Sequence, residues 1–213
     1  MPKIVDHDRR RDEIALVACR VVAEYGFEQA TVVRIAREAG YTTGMVAHYF
    51  DTKQEIIVAA LRLMLRRVDE RLLRNSESER PELLVLLTET LPVDEERYIE
   101  SAFWTAFWGQ VTADKRLKRI NAWVHREYQR LYERCLSHAW PEWPHWPAEV
   151  RDGVLRSVMT FINGLTASTV ASRGDWPPEK QIEQMRLQVD MLHEWAAKAA
   201  AAAKPRKERS SAA

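Results

Sequence analysis

The chain has 213 residues, enough to bury a substantial core in one or two domains. Its 32 Lys and Arg almost balance 31 Asp and Glu, for a net charge of +1. That balance excludes attraction to nucleic acid by bulk charge, so any such binding must come from local placement.

No apolar run approaches the roughly 18 residues of a membrane span, and nothing resembles a signal peptide. Cys19 and Cys135 lack metal-ligand spacing and read as reduced, buried thiols of a cytoplasmic protein. Residues 1–11 read as a mixed-charge arm. Its cluster of Arg9, Arg10 and Arg11 suits either a phosphate contact or the solvated start of a helix. A first helix is predicted from about Asp12 to Tyr25, with Ile14, Val17, Ala18, Val21, Val22 and Tyr25 on one face and Gly26 as its stop.

Thr31 to Lys53 is the most informative stretch. Thr31 can cap a short helix whose apolar positions Val32, Ile35, Ala36 and Ala39 recur with helical spacing, and Gly40 ends it. Thr42 is a second cap, and Thr43 to Tyr49 gives two further turns. Ala36, Gly40 and Val46 have the spacing of a helix-turn-helix: a small residue for close approach, a turn glycine and an apolar plug. An ordinary helical hairpin shares the local pattern. Thr52 and Glu55 form a capping box for a long third element with Lys53 in its first turn, an arrangement suited to an anion such as a DNA phosphate.

The run GYTTGMVAHYFDTKQEI resembles the TetR family of bacterial transcriptional regulators, and the Thr43-Gly44 pair followed by His48-Tyr49-Phe50 is most similar to its BetI-type branch. Tyr41, Met45 and Ala47 depart from the usual residues, so no operator carries over. The resemblance implies an all-α fold with a DNA-binding head and a helical-bundle body that senses a small molecule and forms a homodimer. By motif position, Thr43, Gly44, Ala47 and His48 face the major groove, and Thr31, Thr42, Tyr49 and Lys53 are the phosphate candidates. The structural alternatives are that Thr31 and Thr42 serve only as caps, Gly44 as a tight-packing position and Tyr49 as a core ring.

The next helix is predicted from about Lys53 to Arg74. Ile57, Leu61, Met64, Leu65, Val68 and Leu72 form its apolar stripe, and Arg62, Arg66, Arg67, Arg71 and Arg74 a solvated face. Composition breaks at Asn75 to Pro81. Helices follow near Pro81 to Leu91, Asp94 to Val111 and Asp114 to Ala139, and then WPEWPHWP, Trp140 to Pro147, which cannot be helical throughout. Ala148 to Arg173 carries a small-residue patch of Gly164, Ala167, Ser168 and Ala171, and Glu179 to about Ala197 closes the bundle. The expected domains are a head of 1–53, an effector-binding and dimerisation body of 54–200, and a disordered, basic tail of 201–213.

Phe103, Trp104, Phe107 and Trp108 cover two strips of one helix. They suit core packing or the wall of an effector pocket, which Trp123 could close. Glu100, one turn before Phe103, could offset the charge of a quaternary ammonium, the cation to which the BetI branch answers; neutral apolar ligands fit aromatic walls equally well. No catalytic or nucleotide-binding motif is present, and the single Glu-x-x-His spacing, Glu142 to His145, falls in the proline-broken loop. The sequence therefore reads as a ligand-responsive regulator of double-stranded operator DNA, more in keeping with a repressor, without a cofactor and not an enzyme. The competing class is a helical enzyme or ligand-binding module that never touches DNA.

Overall fold

The computed structural model describes residues 2–75, 82–112 and 114–203. Among them the chain is helical: α1 Pro2–Tyr25, α2 Val32–Glu38, α3 Thr43–Tyr49, α4 Lys53–Asn75, α5 Leu83–Thr88, α6 Glu95–Val111, α7 Lys115–Ala139, α8 Ala148–Ala171 and α9 Pro178–Ala203. Short 3-10 turns, Trp143–His145 and Arg173–Asp175, precede α8 and α9.

Two boundaries depart from expectation. The predicted arm is part of α1. Pro2 suits a first helical position, no glycine interrupts before Gly26, and Glu13 accepts from Arg9 at 3.2 Å and from Arg10 at 3.0 Å on the same helix. At the other end, α9 runs through the alanine run to Ala203 instead of ending near Ala197. Alanine is the strongest helix former, and Ala196 and Ala200 are buried. Residues 201–203, expected in the tail, are therefore helical, while the basic cluster Lys204, Arg206, Lys207 and Arg209 lies outside the described residues.

The head is a three-helix unit with Ile14, Ala18, Ile35, Val46 and Phe50 at its centre. Its core continues into the body through α4, whose predicted stripe from Ile57 to Leu72 is buried throughout. α1 packs against α2, α3, α4 and α6, so the head rests on two body helices. α5 to α9 complete the bundle.

The Trp140–Pro147 loop closes against α9. Trp140, Trp143 and Trp146 are all buried, and the rings of Trp140 and Trp146 lie 4.8 and 6.1 Å from that of His193. His193 Nε2 is 2.5 Å from Glu142 Oε1, which anchors the loop tip. Trp195 of α9 is half exposed and leans over Gly153.

Candidate nucleic-acid interface and ligand cavity

Local chemistry builds the α2–α3 turn. The Thr31 hydroxyl accepts from the Arg34 backbone N–H at 3.2 Å, and the Thr42 hydroxyl accepts from Met45 N–H at 3.1 Å. α2 ends in a Schellman arrangement: Tyr41 N–H donates to Ala36 O at 2.9 Å, Gly40 N–H donates to Arg37 O at 3.1 Å, and Gly40 takes φ of 70°. Chirality makes that φ costly for other residues. Val46, with 0% exposure, plugs α3 onto α2.

Burying Val46 turns Thr43, Gly44, Ala47 and His48 to the outside, and all four are exposed. A Cβ built on Gly44 would meet nothing nearer than the Thr42 hydroxyl at 3.9 Å, so packing within the head does not demand glycine there. Thr31 and Thr42 are exposed caps, and each hydroxyl that accepts from an N–H keeps a proton to donate. Tyr49 is half-buried, its ring 5.0 Å from that of His7 and 5.3 Å from that of His48.

Lys53 sits differently from the expectation. Its ammonium donates to Phe27 O at 2.5 Å and lies 4.6 Å from the Phe27 ring centre, and burial holds its pKa below the ordinary lysine value. It fastens the α1–α2 loop to α4 and is not held out toward solvent. The capping box is present in altered form: Thr52 accepts from Glu55 N–H at 3.2 Å, while Glu55 accepts from Asp51 N–H at 3.0 Å in place of Thr52 N–H.

Arg10, Arg11 and Glu13 brace the turn, a role missed in reading the chain. Tyr41 donates to Glu13 Oε2 at 2.8 Å and accepts from Arg10 at 2.5 Å. Arg11 donates to the Tyr49 carbonyl at the end of α3 and lies 4.1 Å from the Phe50 ring centre. The departure at Tyr41 was the available signal, because a tyrosine in a tight turn needs a hydroxyl partner.

The arginines of α4 are not all a solvated face. Arg71 and Arg67 are half-buried. Arg71 donates to Glu100 at 2.7 and 3.3 Å; Arg67 pairs with Glu96 and lies 3.7 Å from Glu100. Arg66 donates to Asp12 of α1 at 2.6 and 2.7 Å. α4 is thus tied by charge to both α1 and α6.

A cavity of about 170 Å³ lies between α6, α7 and α8. Of the six predicted ligand residues, the fold brings only Trp104 and Trp108 to it. Phe103 and Phe107, both with 0% exposure, are core. Glu100 is bound by Arg71 on another side of α6. Trp123 borders a separate open groove between α4 and α7, beneath the Arg62 guanidinium. Tyr128, a ring that could join the aromatic cluster, lines the cavity too, and so do Tyr132, Ile162 and Asn163, which were missed as ligand groups. Helical spacing predicts a strip on one helix and does not predict which neighbouring strips face it.

Residues 14–60 match the family described as bacterial regulatory proteins, tetR family, and residues 79–194 match the BetI-type transcriptional repressor, C-terminal. The HTH-type transcriptional regulator PksA of Bacillus subtilis is 36% identical over 110 residues, half of this chain and 54% of PksA, so the match spans about half the length of that relative. The HTH-type transcriptional regulator BetI of Burkholderia thailandensis is 24% identical over 90% of this chain and 97% of its own. Among solved structures, a transcriptional regulator of Rhodococcus sp. Rha1 superposes with a TM-score of 0.73 at 25% identity, covering 87% of this chain and 97% of its own. A regulator of Saccharomonospora viridis in complex with choline shares the fold, with a TM-score of 0.71 at 16% identity, covering 85% of this chain and 96% of its own.

Proposed function

The chain belongs to the TetR family of bacterial transcriptional regulators, and on that premise we propose that two copies place their α3 helices in successive major grooves of a near-palindromic operator and leave it when a small molecule fills the cavity between α6, α7 and α8. The observation that carries the reading is the outward face of α3. Thr43, Gly44, Ala47 and His48 are exposed, His48 touching only the Tyr49 ring among the described aromatic contacts, and the absent side chain of Gly44 leaves room for a close partner. Thr31 and Thr42 offer hydroxyl protons to phosphates, and Tyr49 at the end of α3 offers another. Lys53 has a structural role instead. The head comprises residues 1–53 and the body 54–200, with α4 shared mechanically by both.

The dimer forms through α8 and α9. Gly164, Ser168 and Ala171 of α8 and Leu187, Met191 and Trp195 of α9 are exposed, a small-residue face beside an apolar one, as a four-helix bundle about a two-fold axis requires. α6 couples the sites. Its Ser101 and Trp104 line the cavity, while Glu96 and Glu100 hold α4, and α1 packs on the same helix. A ligand that displaces α6 therefore changes the seat of the head and the spacing of the two α3 helices. Moving the dimer from 99:1 to 1:99 in favour of the binding spacing requires about 5.5 kcal/mol of differential affinity.

DNase footprinting of the full chain on the DNA upstream of its own gene tests this. Two protected half-sites about one helical turn apart, lost with Thr43→Ala and His48→Ala together, are expected. Protection that ignores both substitutions would place the DNA surface elsewhere.

A further inference from the structure

The cavity between α6, α7 and α8 has a definite chemistry. None of its lining residues is Asp, Glu, Lys or Arg. Glu100 adjoins Ser101 in the chain, but its carboxylate is held by Arg71 at 2.7 and 3.3 Å and by Arg67 at 3.7 Å, outside the cavity. The cavity is partly open, with His125 and Asn163 exposed, yet a cation seated in it would give up part of its water without a carboxylate in the lining to replace it, which is costly for a charge.

The aromatic rings do not form a cage. Trp108, Trp104, Tyr128 and Tyr132 run in a chain with successive centroids 5.9, 5.6 and 5.9 Å apart and the Trp104 and Tyr128 rings edge to face at 70°, so they pack on one another along the α6–α7 side and do not surround the space. The opposite wall, from α8, carries Met159, Ile162, Asn163 and Thr166. A gap with an aromatic wall on one side and aliphatic groups on the other suits a flat ring stacked on the wall. Size agrees, because a cavity of about 150 Å³ accommodates benzene and this one is about 170 Å³.

The polar groups call for a substituent that forms hydrogen bonds. The Tyr128 hydroxyl accepts the Trp104 indole N–H at 3.2 Å and retains its own proton to give. Burial raises the pKa of both Tyr128 and Tyr132, so each stays a neutral donor. The amides of Asn121 and Asn163 both donate and accept.

We propose that the cavity takes one neutral, flat, single-ring molecule with a hydroxyl or carbonyl substituent, a phenol-like compound, and discriminates against quaternary ammonium ions. This rests on the reading of the cavity as the effector site and specifies its ligand.

Isothermal titration of the full-length chain with phenol and with choline tests the ligand class, and Ile162→Trp, which fills the gap, tests the site. Tyr128→Phe serves as the milder variant, with circular dichroism confirming the fold of each. Saturable phenol binding, roughly tenfold weaker in Tyr128→Phe as expected for one lost hydrogen bond and abolished in Ile162→Trp, is the expected result. Choline binding that Ile162→Trp abolishes would overturn the ligand class and leave the site standing. Phenol binding untouched by either substitution, or no phenol binding at all, would overturn the proposal. Phenol that binds in the cavity without changing DNA affinity would separate the ligand class from the effector reading and refute the latter.

Discussion

Tyr41 shows how one side chain ties sequence to site. Its hydroxyl bridges Glu13 of α1 and the turn that aims α3, and this hydrogen bond is the main reason the Glu13 carboxyl sits below its ordinary range. A carboxyl whose folded-state pKa is depressed contributes stability above its unfolded value, about 4.3, and loses it as pH falls through the folded value. Tyr41→Phe should therefore lower Tm at pH 7, and the gap from wild type should narrow in acid as pH falls through the depressed value of the Glu13 carboxyl. Thermal melts across pH check this; a gap that does not change with pH in acid would mean the bond to Glu13 is not the cause. Lys53 makes a second case. Lys53→Met removes an ammonium bound to Phe27 O and should destabilise the head by about 1–2 kcal/mol. The salt dependence of DNA affinity should keep its slope, whereas a lost phosphate contact would flatten it by about one unit.

At the scale of elements, local pattern and long-range pairing were not equally legible. The caps at Thr31 and Thr42, the stop at Gly40 and the stripe of α4 could be read from the chain, because each depends on residues within a turn or two. Whether α6 turned Phe103 or Trp104 toward a void depended on α7 and α8, and so did the fate of Glu100. That carboxylate found Arg71, 29 residues away, in place of a ligand. The same limit hid the bracing of the turn by Arg10 and Arg11, since the pairing of α1 with α3 is not a local property. Phe107→Ala tests the division of α6 into core and cavity strips. Loss of a ring with 0% exposure should cost about 3–5 kcal/mol in urea unfolding. A ring that lined the ligand site would instead cost affinity with little change in stability.

For the whole molecule, the exposed apolar row of α9 and the small residues of α8 bear on assembly. Leu187→Glu with Met191→Glu places two charges where the proposed bundle would bury them and should give monomers by light scattering, with the far-ultraviolet helix signal retained. An unchanged dimer would put the two-fold axis elsewhere. Operator affinity should fall with the dimer, because each head alone contacts one half-site. We propose that a chain with a net charge of only +1 recognises DNA through the outward face of α3 and not through a general field. The most direct measurement is fluorescence anisotropy of the full chain against DNA from upstream of its own gene, against a scrambled duplex, and with His48→Ala, each over a salt series. Markedly tighter binding to the native duplex is expected, with a loss of roughly 1–3 kcal/mol of sequence preference in His48→Ala and an unchanged salt slope in that variant. Equal affinity for native and scrambled duplexes at every salt concentration would contradict it.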